Sequence, residues 1–191
     1  RAAHVPFENG LNPVAAMPPA SPNRLTDFKL PTAVLAAAWL GEGELLAGCM
    51  DGVYRVDLAA ASHRKIGSHA SYVSSVAALP CHGQYLSAGY DGRLQWYDLA
   101  SDEPTRSLDL HRFWSWDMAV SPDQSLVASV TGQYLAGGYK YEPAPEREPS
   151  VRVVAADTGE ILLSLPHVPS VQAVAFSNDS QFVAAGNLMG E

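Results

Sequence analysis

Several features are scarce in this 191-residue sequence. Its two cysteines, Cys49 and Cys81, are too few for a disulfide framework, and neither has the partner spacing of a zinc site. No run of about 18 apolar residues occurs, so no helical membrane span is predicted. An apolar stripe at helical spacing is also missing. Strands are therefore the expected secondary structure.

Positive charge is scarce as well. The chain has 12 Lys and Arg against 20 Asp and Glu, a net charge of −8, and the basic residues are scattered. Nucleic-acid binding needs clustered positive charge, so no nucleic-acid partner is predicted. There is no Gly-x-Ser-x-Gly elbow, no phosphate-binding loop and no pair of acidic residues placed as acid and base. We expect no enzyme activity, no cofactor and no metal.

A weak repeat is what the sequence does contain. His69, His111 and His167 open similar phrases, at steps of 42 and 56 residues. Short runs such as residues 73–79 and 171–176 are rich in β-branched side chains and are bounded by turn-forming residues. A period of about 40 to 45 residues with four short strands is typical of a β-propeller blade. We therefore predict an all-β chain of four-stranded antiparallel blades.

Tight turns support this interpretation, because Asp51-Gly52 and Asp91-Gly92 have the composition of hairpin turns. The chain resembles the WD-repeat propellers in a degenerate, bacterial-type form. His69 stands at the family's His position, Asp91 at the hairpin Asp, and Tyr97-Asp98 at the Trp-Asp position, although no copy has a true Trp-Asp. The resemblance implies a structural hydrogen-bonded network within each blade. Its predicted members are His69, Ser87, Asp91, Tyr97, His111 and His167.

The repeat also predicts the domain organisation. We place blades at about 34–66, 67–110 and 111–166, and an incomplete fourth at 167–191. A seven-bladed propeller needs roughly 290 residues, so we expect a fragment with about three and a half blades. Residues 1–33 are Pro-rich and are predicted to form an extended linker or strap. Since the sequence starts with Arg1 rather than Met, a secretion signal is neither seen nor excluded, and either a cytoplasmic or a periplasmic compartment is compatible with it. No oligomeric state is predicted.

The longer 56-residue step predicts an insertion at 131–149 in the third blade, where the other blades make a tight hairpin. Long loops in compact domains are often functional. In the propellers this chain resembles, such a loop opens on the same face as the loop before the innermost strand. A partner-binding surface is therefore expected to include Phe113, Trp114, Trp116, Tyr134, Tyr139, Lys140, Tyr141 and Arg147. The alternatives are that the insertion is a plain hairpin extension and that a tryptophan points into the core.

The leading hypothesis is a non-catalytic scaffold that binds a protein partner, or another domain of its own chain, through this face. Two alternatives stay open. Residues 154–162 also resemble the Ala-x-Asp-x-x-Thr-Gly-x-x-x-Trp repeat of quinoprotein dehydrogenases, without the final Trp. The propeller is otherwise a regulator of an attached catalytic or cytochrome module. The three repeated histidines are not expected to bind a metal, because adjacent blades hold equivalent atoms too far apart for one ion with bonds of roughly 2.1 Å.

Overall fold

The computed structural model describes residues 29–137, 140–143, 148–168 and 170–190. Apart from a 3₁₀ turn at Pro80–His82, the regular structure of these residues is β-strand. The strands are β1 (Val34–Gly41), β2 (Glu44–Cys49), β3 (Gly52–Asp57), β4 (Ser62–Gly67), β5 (Val73–Leu79), β6 (Gln84–Gly89), β7 (Arg93–Asp98), β8 (Pro104–Asp109), β9 (Asp117–Val120), β10 (Leu126–Val130), β11 (Tyr134–Gly137), β12 (Lys140–Pro143), β13 (Val151–Ala155), β14 (Ile161–Leu165), β15 (Val171–Phe176) and β16 (Val183–Asn187).

The strands form a series of antiparallel sheets, which we call blades. The first blade has the order β1-β2-β3-β4, the second β5-β6-β7-β8, and the third β9-β10-β13-β14. The fourth consists of β15 and β16 in the described residues. Each blade is a meander in which consecutive strands pair, apart from the inserted β11 and β12. The prediction of an all-β chain built as a partial propeller is confirmed.

Glycine enables the turn that links β6 to β7. Gly92 has φ +78°, a backbone conformation that residues with a Cβ adopt at a cost. A Cβ atom on Gly92 would also lie 2.1 Å from the carbonyl oxygen of His111, at the entry to the third blade. The Asp-Gly pair therefore closes the hairpin and lets the next blade approach.

The hydrophobic core lies between the blades. Apolar side chains alternate along the inner three strands, so each blade presents one apolar face to the blade before it and one to the blade after it. Trp96 is fully buried between the second and third blades. Buried members of the three layers include Leu46, Val53, Tyr85 and Tyr97 between blades one and two, Leu86, Leu94, Trp96 and Val127 between two and three, and Val130, Val153, Val171 and Val174 between three and four.

An extra hairpin interrupts the third blade. Between β10 and β13 the chain forms the two-stranded sheet of β11 and β12, in which Tyr134 pairs with Pro143 and Gly137 with Lys140. The described backbone of the insertion forms a hairpin extension, which is one of the two interpretations that the sequence left open. The Pro-rich residues 1–28 lie outside the described residues.

Candidate functional site: an aromatic surface beside the blade networks

The second blade contains a hydrogen-bonded histidine network. The Nδ1 atom of His69 is 2.8 Å from Oδ1 of Asp91, and its Nε2 atom is 2.8 Å from Oγ of Ser87. The other Asp91 oxygen accepts a hydrogen bond from the backbone N–H of Ala70 at 2.9 Å. The hydroxyl of Tyr97 donates its hydrogen bond to Oε1 of Gln95. The structure thus links three of the residues predicted for this blade, His69, Ser87 and Asp91, by direct hydrogen bonds, while the fourth, Tyr97, donates to a neighbour on its own strand.

The charges of this network follow from its environment. Burial lowers the pKa of His69, and Asp91 opposes the shift only in part. The pKa of Asp91 is also lowered, because hydrogen bonds from His69 and from backbone N–H groups outweigh the effect of burial. A neutral imidazole therefore donates from Nδ1 to the Asp91 carboxylate and accepts at Nε2 from the Ser87 hydroxyl. Gly89 makes room for the pair, since a Cβ there would lie 2.6 Å from His69 Nδ1.

The third blade has a different network around its histidine. His111 is buried, with Nε2 3.0 Å from Oγ of Ser129, and Ser129 is 2.9 Å from the hydroxyl of Ser115. Within the described part of the chain, its Nδ1 atom has no hydrogen-bond partner. Burial and the positive charge of Arg152 lower the pKa of His111 to about 3. This histidine is therefore neutral across the physiological range of pH.

Glu148 supplies the carboxylate of the third blade from the far end of the insertion. Its Oε1 atom accepts the backbone N–H of Arg112 at 2.8 Å, the equivalent of the bond that Asp91 accepts from Ala70. Its Oε2 atom lies 3.6 Å from Nη2 of Arg152. The carboxylate of the third blade, Glu148, is thus paired with an arginine, whereas the carboxylate of the second blade, Asp91, is paired with the histidine.

His167 lacks a serine at the repeat position that pairs with the other two histidines. The residue 18 positions after it is Ala185, whereas the same spacing leads from His69 to Ser87 and from His111 to Ser129. Its Nδ1 atom lies 3.1 Å from the carbonyl oxygen of Val168. The three repeated histidines therefore occupy three different environments.

Five aromatic side chains form a continuous surface at the blade end where β6 turns into β7. We call Tyr72, Tyr90, Phe113, Trp114 and Trp116 the aromatic surface. Tyr90 stacks on Trp114 with a centroid distance of 4.7 Å and an interplanar angle of 7°, and Phe113 stacks on the other side of Trp114 at 5.0 Å and 14°. Trp116 meets Trp114 edge-on at 5.2 Å. Trp114 remains 40% exposed and Tyr72 41% exposed.

The two tryptophans have different roles in this surface. Trp116 is half-buried against the core between the third and fourth blades, and its Nε1 donates to the carbonyl oxygen of Gly132 at 2.8 Å. The carbonyl oxygen of Trp114 accepts a hydrogen bond from the hydroxyl of Thr131 at 2.8 Å, which holds its backbone while the ring faces solvent. Trp116 therefore anchors the surface, and Trp114 is its accessible member.

Sequence reasoning missed two members, Tyr72 and Tyr90. Tyr90 lies in the turn between β6 and β7, and its backbone N–H donates to the carbonyl oxygen of Tyr72 at 2.8 Å. A signal was available, since Tyr72 follows His69 by three residues, as Trp114 follows His111. An aromatic residue at that repeat position is placed beside the turn of its own blade.

The predicted residues of the insertion are only partly accounted for. Tyr134 begins β11, while Lys140 and Tyr141 open β12, and for these three the description covers the backbone alone. Both strands lie between β10 and β13, at the same blade end as the aromatic surface. Tyr139 and Arg147 lie outside the described residues.

Comparison with known proteins fits this geometry. The family model described as WD domain, G-beta repeat matches residues 61–98, which run from the outer strand of the first blade to Tyr97-Asp98. The chain contains a WD40 repeat within a partial propeller. Among solved structures it is similar to the computationally designed Ika4 protein, with a TM-score of 0.67 and 19% identity over 85% of this chain and 90% of that one. No curated protein matches the chain.

The matched WD40 repeat is also where the histidine network is most complete. His69, Ser87, Asp91 and Tyr97 all lie inside residues 61–98. The third blade, which lacks both the hairpin Asp and an aromatic ring at the Tyr97 position, is outside the match.

A concavity lies at the opposite blade end from the aromatic surface, between the first and second blades. It encloses about 320 Å³. Its arginines are already paired: Arg55 donates to Glu44 at 2.8 Å and to Asp102 at 3.0 Å, and Arg64 also contacts Asp102. The lining residues are Glu44, Arg55, Asp57, Ser62, His63, Arg64 and Ala100. Both guanidinium groups thus already have a carboxylate partner, and the Arg64 side chain is 60% exposed.

Neither a metal cluster nor a membrane-spanning helix is found in the described residues. They contain no group of three or more His, Cys, Asp or Glu side chains that could hold a metal ion. None of their helical structure is long and apolar enough to cross a membrane. The segment with a quinoprotein-like pattern forms the end of β13, a turn with Gly159 at φ +73°, and the start of β14. Its Asp and Gly residues are thus accounted for by an outer hairpin.

Proposed function

We propose that this WD40-repeat propeller is a non-catalytic scaffold that binds a protein partner, or another domain of its own chain, through the aromatic surface. The observation that carries the proposal is the stack of Tyr90, Trp114 and Phe113, whose central ring is 40% exposed. Aromatic residues are enriched at the centre of protein interfaces, where tryptophan and tyrosine contribute most of the binding energy.

Rigidity favours this surface as a binding site. Trp114 is held between two rings and its backbone carbonyl is hydrogen-bonded to Thr131, so little side-chain freedom is left to lose on binding. Trp116 supports the stack from the core side. A preordered aromatic group beside a protruding hairpin suits a folded partner or an extended peptide.

The histidine network needs a separate argument, because Ser87, His69 and Asp91 have the connectivity of a catalytic triad. Ser87 is fully buried, and so is the side chain of His69. A nucleophile needs access to a substrate carbonyl, which the interior of a blade does not offer. WD40 repeats are in general non-catalytic, and the burial of this set supports a structural role here.

The test compares two tryptophan variants of the full chain. Trp114→Ala removes the centre of the aromatic surface, while Trp39→Ala removes a 61% exposed ring from the first blade and serves as the matched control. Partners are captured from an extract of the organism that encodes the protein, by quantitative affinity purification. We expect Trp114→Ala to weaken capture of a specific protein by about tenfold or more, with the control unchanged.

Thermal unfolding separates binding from folding. Both variants should keep a transition within a few degrees of the parent chain, because neither ring is buried. Equal loss of capture in both variants, or no loss in Trp114→Ala, would overturn the proposal.

A further inference from the structure

The aromatic surface contains hydrogen-bond donors that the described protein does not use. Trp96 and Trp116 each donate their indole N–H to a backbone carbonyl oxygen at 2.8 Å. The indole N–H of Trp114 has no hydrogen-bond partner within the described part of the chain, and the same is true of the hydroxyls of Tyr72 and Tyr90. Three unused donors therefore lie among the five rings of this surface.

The backbone acceptors of the same surface are already engaged. The carbonyl oxygen of Tyr72 accepts the N–H of Tyr90 at 2.8 Å, and that of Trp114 accepts the hydroxyl of Thr131 at 2.8 Å. A ligand that binds as a β-strand brings both N–H and C=O groups and needs donors and acceptors in return. The surface therefore favours a ligand that supplies acceptors and has few N–H groups of its own.

The stacking of the rings limits the charge of the ligand. Both faces of Trp114 are covered, by Tyr90 at a centroid distance of 4.7 Å and by Phe113 at 5.0 Å. A cation binds over the face of an aromatic ring, so Trp114 has no open face for a lysine or an arginine. Its exposed part is the ring edge, which carries the positive end of the quadrupole and attracts oxygen atoms. The edge and the unused N–H thus select carbonyl oxygens.

A proline-rich peptide meets both demands. Proline has no backbone N–H, so it requires no acceptor from the surface. In the polyproline II conformation the backbone carbonyl groups make no internal hydrogen bonds and are free to accept. Peptides of this kind bind to aromatic side chains in several classes of recognition domain. Residues 17–22 of this chain, with the sequence Met-Pro-Pro-Ala-Ser-Pro, have the required composition.

The chain enters its first blade at the same blade end as the aromatic surface. The hydroxyl of Thr32 donates to Asp51 in the turn between β2 and β3. The N–H of Met50 donates to the carbonyl oxygen of Ala33 at 3.1 Å, which repeats the backbone bond between the two tyrosines of the second blade. Pro22 precedes Thr32 by ten residues, which in polyproline II conformation span roughly 30 Å, about the diameter of a small domain. The segment can therefore reach the neighbouring blade.

Charge is compatible with this contact. Residues 1–28 contain two arginines, one glutamate and one aspartate, so the net charge of −8 belongs to the rest of the chain. Residues 17–22 contain no charged side chain. An acidic protein repels an acidic peptide but not a neutral one, so the segment can bring its carbonyl groups to the surface without repulsion.

We propose that residues 17–22 bind the aromatic surface of their own chain as a polyproline II segment. The backbone carbonyl groups of the segment accept hydrogen bonds from Trp114, Tyr72 and Tyr90. This inference rests on the proposed function, because it names the class of ligand that the same surface binds. A protein partner has to displace the segment, so the contact is autoinhibitory.

A labelled peptide of residues 15–24, added to the full chain, tests the contact by fluorescence anisotropy. In the parent chain the tethered segment competes at an effective concentration on the order of 1 mM. The triple variant Pro18→Ala, Pro19→Ala, Pro22→Ala lacks this competitor and should bind the peptide about tenfold more tightly or better. The double variant Pro6→Ala, Pro13→Ala changes prolines outside the segment, and this matched control should bind like the parent chain.

The role of the unused donors is tested in the triple variant. Adding Trp114→Ala should weaken peptide binding by about tenfold or more. Adding Trp114→Phe, which keeps an aromatic ring but lacks the N–H, should weaken it by about fivefold. Trp39→Ala should have no effect. Thermal unfolding checks that every variant is folded.

Several outcomes would overturn the inference. They are equal affinity of the peptide for the parent chain and the triple variant, no binding to the triple variant, and unchanged binding after Trp114→Ala. A dimer of the parent chain that the triple variant abolishes would also overturn it, because the segment would then bind a second copy. If the peptide does not bind but Trp114→Ala still loses its captured protein, this inference fails and the proposed function stands. Peptide binding that depends on Trp114, with no protein captured, would support the inference.

Discussion

The second and third blades solve the same structural problem in different ways. Both place a histidine 18 residues before a buried serine. In the second blade Gly89 leaves space for Asp91 to reach the histidine directly. In the third blade Thr131 occupies the equivalent position and the carboxylate comes from Glu148, beyond the inserted hairpin. The comparison teaches that the His-Ser pair tolerates a long insertion as long as a carboxylate returns to the same backbone N–H.

The same two blades differ at their outer halves. The second blade reaches its neighbour with Trp96 and Arg106, both of which donate hydrogen bonds. The third blade presents Val153 and Leu163 at those positions. The outer half of the second blade thus makes directional polar contacts with its neighbour, whereas the equivalent positions of the third blade carry aliphatic side chains.

The largest difference between the blades should appear on truncating Trp96. Trp96→Ala removes a fully buried indole and its hydrogen bond, so we expect a loss of about 3–5 kcal/mol in the free energy of unfolding. Val153→Ala, the matched change in the third blade, should cost on the order of 2 kcal/mol. Urea denaturation of both variants measures this. An equal loss of unfolding free energy in the two variants would show that the two interfaces contribute equally to stability.

Filling the space beside His69 should break the second-blade network. Gly89→Ala places a methyl group 2.6 Å from Nδ1 of His69, and relieving this clash is expected to cost roughly 1–3 kcal/mol. Gly41→Ala is the control, since nothing lies within 4 Å of its Cβ position. Urea denaturation should leave the control within about 0.5 kcal/mol of the parent chain. A neutral Gly89→Ala would mean that the histidine pair has room to move.

Acid should destabilise the third blade through His111. Its folded-state pKa of about 3 lies below the ordinary 6.5, so the unfolded chain binds more protons between these values. The contribution of His111 to the free energy of unfolding is therefore fully present above pH 6.5 and decreases as the pH falls. About 2 kcal/mol of it is lost by about pH 5. The pKa of His69 is lowered too and acts in the same direction.

The His111 contribution can be isolated from the slope of stability against pH. His111→Asn should flatten that slope between about pH 6.5 and about pH 5. Denaturation at several pH values is the measurement. An unchanged slope in His111→Asn would show that the imidazole is protonated in the folded protein.

The smallest effect is expected at Arg106. Arg106→Ala removes the hydrogen bond to Asp157 and the guanidinium 5.2 Å from the Trp96 ring centroid, at a cost of about 0.5–1 kcal/mol. Leu163→Arg introduces an arginine at the equivalent position of the third blade and should leave the free energy of unfolding nearly unchanged. Urea denaturation measures both variants. A marked gain in stability from Leu163→Arg would mean that a hydrogen-bond acceptor already lies beside this position.

Sequence analysis was enough to predict the architecture but only three of the five members of the aromatic surface, Phe113, Trp114 and Trp116. The repeat at His69 and His111, with Asp-Gly turns between strands, predicts four-stranded blades, and the structure confirms them. Tyr72 and Tyr90 were missed because they come from two different loops. Their meeting with Trp114 depends on how adjacent blades pack, and strand alternation carries no information about that.

The histidines show the same division between what the sequence predicts and what the packing of the blades decides. The sequence alone determined that His69, His111 and His167 are equivalent repeat positions, because local alternation and turn residues set the strand pattern. Only the tertiary structure decided their environments: an Asp and a Ser for the first, a Ser and a nearby arginine for the second, and a backbone carbonyl for the third. The reason is physical, since burial and charge are properties of the neighbours that packing brings from distant parts of the chain.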